Sequence, residues 1–228
     1  MIHFHPDDNL LTEYSAGALD RGLAIAVKAH LSLCPQCRTK LSQLNLIGSA
    51  MLESETTVDD DNAASFAALM KRIHTLPTAS SDARSDEDAE VDSAKHVKSK
   101  RFPPVVSKLL DNTGELRWKA ISPSLRQANL QSGQDKYEVC LHKIRKGGRV
   151  VEHDHHGQEV TLILEGAFSD EQGTYRAGDF LVREPGEVHR PTATQDQDCL
   201  CLTVVAAPVR VKGLLGMFVN PFIRFQPG

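Results

Sequence analysis

The chain has 228 residues, of which 40% are hydrophobic and 25% charged, with a formal net charge of −4. That length suits two small domains, and no run nears the roughly 20 apolar residues of a membrane span. The net negative charge weighs against direct nucleic-acid binding, which draws on an excess of Lys and Arg to displace phosphate counterions.

Residues 1–9 are polar and acidic and lack the basic-then-apolar pattern of a signal peptide, so a cytoplasmic protein is expected. Five cysteines, Cys34, Cys37, Cys140, Cys199 and Cys201, are an odd set in a chain of this size. In a reducing cytoplasm they read as thiols or metal ligands rather than a disulfide framework.

Residues 7–77 read as helical. Leu10, Leu11, Tyr14 and Ala18 fall at helical spacing after Asp7 and Asp8, either of which can cap a helix. Asp20-Arg21-Gly22 reads as a break, and 23–31 as a second, apolar helix. Pro35 suits the first turn of a third helix, where its missing N–H has no intrahelical partner. That helix runs on through Leu41, Leu44, Ile47 and Met51. Phe66, Leu69, Met70 and Ile73 predict a fourth, amphipathic helix ending before Pro77. Residues 78–100 are dense in charge with almost nothing to bury, which predicts a flexible linker.

From about Phe102 onward β character dominates. Branched and aromatic residues concentrate at 137–144, 160–164, 180–182 and 200–205, with glycine-bearing turns between them. Many short strands at close spacing predict a sandwich or barrel. The expected division is a helical domain over 1–77, a linker over 78–100 and a β domain over 101–228.

The stretch His30-Leu31-Ser32-Leu33-Cys34-Pro35-Gln36-Cys37 carries the first constellation. A CxxC at a helix start can aim two thiolates at one ion, and His30 lies one helical turn before Cys34. Zinc takes four N or S ligands in a tetrahedron. His5, just ahead of the first helix, is the expected fourth ligand, with His3 as the fallback. Two other readings stand beside zinc: a redox pair, which belongs next to a βαβ unit, and plain buried cysteines. A small helical domain with few apolar residues gains strongly from a metal staple.

The segment resembles the zinc-binding anti-sigma domain over about the first 75 residues. The flanking text LLTEYSAGALD and AHLSLCPQC is similar to the ChrR-like branch of that family. The resemblance implies His5, His30, Cys34 and Cys37 as the four zinc ligands. It also implies an extracytoplasmic-function sigma factor as the partner, blocked from core RNA polymerase.

A second constellation is Gly147-x5-His153-Asp154-His155-x3-Glu159-x6-Gly166. His153 and His155 alternate along an extended segment, so both rings face one side. Glu159 returns an oxygen after a tight turn, and His189, in Pro185-Gly186-Glu187-Val188-His189, would complete the set. These motifs resemble the cupin fold, a small β-barrel with a metal in its mouth, over about 118–205. The second motif departs from the family pattern in its proline position and in lacking a later asparagine. A metal-free cupin is the main structural alternative. Three His and one Glu suit zinc, iron, manganese or nickel.

His142 and His156 are read as non-ligands, and the alternating Cys199 and Cys201 as small buried hydrophobes. The expected fold is therefore a multidomain α and β protein, with an N-terminal zinc-stapled helical bundle and a C-terminal cupin β-barrel. The expected function is an anti-sigma factor that regulates transcription and releases its partner on oxidative stress of the singlet-oxygen or peroxide type. The competing expectation is a cupin metalloenzyme such as a dioxygenase. The apolar face of Phe66, Leu69, Met70 and Ile73 is expected to meet the partner, or else to pack on the first three helices.

Overall fold

Asp7 starts the first helix. Its Oδ1 accepts the Leu10 N–H at 2.8 Å, and α1 (Asp8–Ser15) turns Leu10 and Leu11 inward. The coordinates are those of a computed structural model, which describes residues 1–54, 63–75 and 101–211. Gly22, expected as part of a break, lies instead in the first turn of α2 (Arg21–Leu33). A Cβ there would sit 2.9 Å from the Tyr137 ring, so glycine lets the helix approach that strand. Cys34 turns extended and ends α2, and Pro35 opens α3 (Pro35–Ser54). Leu41 and Leu44 pack against the core, whereas Ile47 and Met51, expected on the same face, are exposed.

α4 (Ala63–Thr75) carries the expected fourth amphipathic pattern. A further helix, α5 (Pro104–Thr113), occupies a stretch where β structure was expected. Pro104 sits at its first turn, where its fixed φ favours initiation, and Val106 and Leu109 one turn on are buried. No described helix is long and apolar enough to cross a membrane.

The strands that follow are β1 (Lys119–Ala120), β2 (Leu125–Asn129), β3 (Glu138–Ile144), β4 (His153–His155), β5 (Glu159–Glu165) and β6 (Ala167–Asp170). Then come β7 (Gly173–Arg176), β8 (Phe180–Arg183), β9 (Val188–His189), β10 (Thr192–Ala193), β11 (Cys199–Val205) and β12 (Val209–Val211). The main sheet has the order β1-β2-β3-β11-β5-β8, and two smaller sheets run β10-β6-β7 and β12-β4-β9. All these pairings are antiparallel.

Strand period sorts the main sheet into two faces. Val139, Leu141, Val160, Leu162, Leu202 and Val204 join one core with Leu11, Ala26 and Val27 of the helices. Ile144, Ile163, Leu181, Cys199 and Cys201, from the other face, join a second core with Phe168 and Tyr175 inside the barrel.

Chain contacts group Met1–Leu44 with Phe102–Gly228 as one compact unit and Asn45–Arg101 as another. The helices expected to stand together over 1–77 are thus shared between the two. The expected linker, 78–100, lies outside the described residues.

Candidate metal centres

The N-terminal group draws each residue from a different local device. His5 precedes α1, His30 is the last-turn histidine of α2, Cys34 caps that helix, and Cys37 lies in the first turn of α3. His5 Nδ1 stands 3.4 Å from Cys34 Sγ and 3.3 Å from Cys37 Sγ. His30 Nε2 stands 3.3 Å from Cys37 Sγ. A tetrahedral ion with ordinary Zn–N and Zn–S lengths places N and S about 3.6 Å apart, so these spacings fit a zinc-sized ion. The Cys37 backbone N–H also points at Cys34 Sγ at 3.4 Å, a contact that favours a thiolate.

His30 is fully buried. Its Nδ1–H donates to the Gly178 carbonyl at 2.9 Å, which fixes the tautomer and leaves Nε2 bare toward the sulfurs. Burial lowers the His30 pKa to about 4, so the ring is neutral, the form a metal needs. Burial pushes the Cys37 thiol up to about 12, so without an ion the sulfur stays protonated. His3, the fallback, is exposed and outside the group.

The second group sits inside the barrel. β4 presents His153 and His155, β5 begins with Glu159, and β9 pairs with β4 so that His189 faces His153. His189 Nε2 lies 3.1 Å from His153 Nε2 and 3.2 Å from His155 Nε2. Three imine nitrogens this close converge on one point, and no proton arrangement would satisfy all three as well as a shared cation. His153 Nδ1 donates to the Val151 carbonyl at 2.8 Å, and His189 Nδ1 donates to Asp170 Oδ2 at 3.3 Å. Both bonds hold the ring in the tautomer that frees Nε2.

Glu159 Oε2 is 2.9 Å from His155 Nδ1. Yet that nitrogen is buried without a hydrogen-bond partner, so the ring N–H does not aim at the oxygen. The other oxygen of Glu159 accepts from Thr161 Oγ1 at 2.9 Å. Burial pushes the Glu159 carboxyl up, but the surrounding histidines outweigh it and hold the group below the ordinary carboxylate range. Burial likewise brings His153 down to about 4. His153 is therefore a neutral imidazole and Glu159 a carboxylate, and with His155 and His189 they make a three-His, one-Glu donor set open to several divalent transition metals.

Both expected sets thus come together: the ligand atoms within each lie within 4.8 Å of one another. His156 is exposed. His142 bonds to Gln127 at 3.3 Å and Thr203 at 3.3 Å, a satisfied histidine as expected. Phe66, Leu69 and Ile73 are exposed, with Met70 half-buried beside them.

The sequence reading missed the group behind His189. Asp170, with a fully buried side chain, holds Arg183 at 2.8 Å, Tyr175 Oη at 3.1 Å and the Gln172 N–H at 2.9 Å. Burial raises the Asp170 carboxyl, but these donors and His189 together hold it well below its ordinary range. Its only trace in sequence is Arg183, a lone cation closing the apolar strand Phe180-Leu181-Val182.

Fold and sites together define a cupin barrel joined to a helical segment with its own His2Cys2 set. Residues 106–208 match the family model described as the ChrR cupin-like domain. The anti-sigma-E factor ChrR of Cereibacter sphaeroides is 33% identical over 225 residues, covering 98% of this chain and 99% of that protein. The crystal structure of Rhodobacter sphaeroides SigE in complex with the anti-sigma ChrR aligns with a TM-score of 0.71 at 30% identity. That alignment covers 90% of this chain and 99% of the matched one. The chain belongs to the ChrR family.

Proposed function

We propose that this protein is an anti-sigma factor that holds an extracytoplasmic-function sigma factor in the cytoplasm and frees it on oxidative stress. The observation that carries the reading is the end-to-end match to ChrR, with both ligand sets of this chain assembled. The solved relative is in complex with SigE, and a sigma factor is the partner that likeness favours here.

Residues 1–77 would hold the partner and 101–228 would sense the signal. Large apolar side chains support a partner surface on the helical part. Leu46, Ile47, Met51 and Leu52 of α3, and Phe66, Leu69 and Ile73 of α4, are at least half exposed. Exposed apolar residues at this density mark a protein contact.

His5, His30, Cys34 and Cys37 would hold zinc, whose role there is to cross-link α2, α3 and the N-terminal segment. His153, His155, Glu159 and His189 would hold zinc or another divalent transition metal such as iron, manganese or nickel, placing a charged, ligand-dependent point in the barrel.

The test is in vitro transcription by core polymerase with each extracytoplasmic-function sigma factor of the source genome. One of them should be silenced at about one protein per sigma factor, and should copurify. Inhibition of none, by folded and metal-loaded protein, would end the proposal.

A further inference from the structure

The N-terminal metal site is not self-contained. The turn between β7 and β8, residues 177–179, reaches it from the barrel. Gly178 gives its carbonyl to His30 Nδ1 at 2.9 Å. Asp179, only 1% exposed, accepts the backbone N–H groups of His3 at 2.7 Å and Phe4 at 3.2 Å on one oxygen. Its other oxygen takes the Arg176 N–H at 2.8 Å, closing the turn. Phe180 then donates its N–H to the Phe4 carbonyl at 3.0 Å.

So the backbone on the N-terminal side of His5 is tied down by two N–H groups to this turn and by one carbonyl to the first residue of β8. Gly178 has φ +95° and carries no Cβ, which would lie 2.6 Å from Ile2 Cδ1. The close approach of residues 2–4 is thus built into the turn.

We propose that Asp179 is the positioning residue of the N-terminal metal site, so that the barrel sets how tightly His5 and His30 grip the ion. This rests on the reading that His5, His30, Cys34 and Cys37 bind metal. Groups that orient ligands without touching the ion change affinity by about 10- to 100-fold. Asp179 orients the His5 segment and Gly178 orients His30, which are two of the four ligands.

The same strand gives the turn a reach. β8 runs from Phe180 to Arg183, and Arg183 holds Asp170, the partner of His189 in the barrel site. One four-residue strand therefore touches the outer surroundings of both metal groups. A change at the barrel site has a short, packed route to the sulfur site.

The experiment loads full-length protein with cobalt(II). Cobalt bound to thiolates gives a sulfur charge-transfer band, and of the two ligand sets only the one with Cys34 and Cys37 contains sulfur. Zinc displacement of that band then reports affinity at this site alone. Asp179→Ala should weaken it by about 10-fold or more, with metal content at His153, His155, Glu159 and His189 unchanged. Unchanged affinity in a folded Asp179→Ala protein overturns the inference and leaves the metal reading intact. No thiolate band in the unsubstituted protein overturns both.

A second measurement needs no variant and stands if Asp179→Ala does not fold. Linkage is reciprocal, so filling the sulfur site should slow amide hydrogen exchange at His3 and Phe4 in the unsubstituted protein. Equal exchange with and without zinc overturns the inference.

Discussion

Asp170→Asn probes the barrel site through a residue that touches no metal. The Asp170 side chain is 0% exposed and Arg183 is 9% exposed, with Nη2 and Oδ2 2.8 Å apart. Asparagine keeps the volume and one acceptor but removes the charge opposite a buried guanidinium. Breaking a buried pair by removing one partner costs about 3–5 kcal/mol, and retention of an acceptor puts this case near 3 kcal/mol. His189 also loses the carboxylate that fixes its ring, which should lower metal affinity by about 10- to 100-fold.

The two effects separate in the double variant Asp170→Leu with Arg183→Met. Apolar replacement of both partners is often neutral for stability, so urea unfolding of the metal-free protein should recover most of the loss. Affinity should not recover, since His189 still lacks its partner. Unfolding curves and chelator competition would be compared across the three proteins. Stability within about 1 kcal/mol and affinity within about threefold for Asp170→Asn would refute the role assigned to Asp170.

Other perturbations have equally definite outcomes. Cys34→Ser or Cys37→Ser should abolish sigma inhibition and zinc binding at the sulfur site, because a site of this kind supplies folding energy to its surroundings; full inhibition by a folded, zinc-free variant would contradict this. Metal-free protein should lose stability as pH falls from about 6.5 to about 4. His30 and His153 are each lowered to about 4 by burial, so in that window the unfolded chain binds more protons. The ceiling is roughly 3 kcal/mol for each ring, and a flat denaturation midpoint over that range would exclude the effect. Leu69→Asp, on the exposed face of α4, should weaken sigma binding by about 10-fold or more without lowering the melting temperature, as expected for an apolar contact residue; full affinity would remove α4 from the interface.

Part of each set was legible in local geometry, whereas His5 and His189, far along the chain from the others, were joined to them by the family resemblance. CxxC at a helix start, a histidine one turn earlier and alternating histidines on a strand are short-range patterns, and the structure brings each set together. The strands at 138–144 and 199–205 were legible for the same reason: period 2 over branched residues. Asp170 and Asp179 were not. Their partners His189 and His3 lie 19 and 176 residues away, and no spacing rule connects them.

The backing of α2 by the sheet was half visible. Gly22, Leu23, Ile25, Ala26, Val27, Ala29, His30 and Leu31 are all buried, an apolar belt too wide for a helix with one wet face. Read that way, the run signals burial on more than one side. α5 lies in the region expected to be β from about Phe102 onward, although Val106, Leu109 and Leu110 repeat at helical spacing after two prolines.

Whether one part of the protein holds a sigma factor while the barrel site governs release is decided by a single reporter measurement. Output from the sigma-dependent promoter is recorded before and during singlet-oxygen exposure, with the unsubstituted protein and with His153→Ala/His155→Ala. Both should keep the promoter silent before exposure, and only the unsubstituted protein should let output rise. A rise in both proteins, or silence in neither before exposure, would contradict that division of roles.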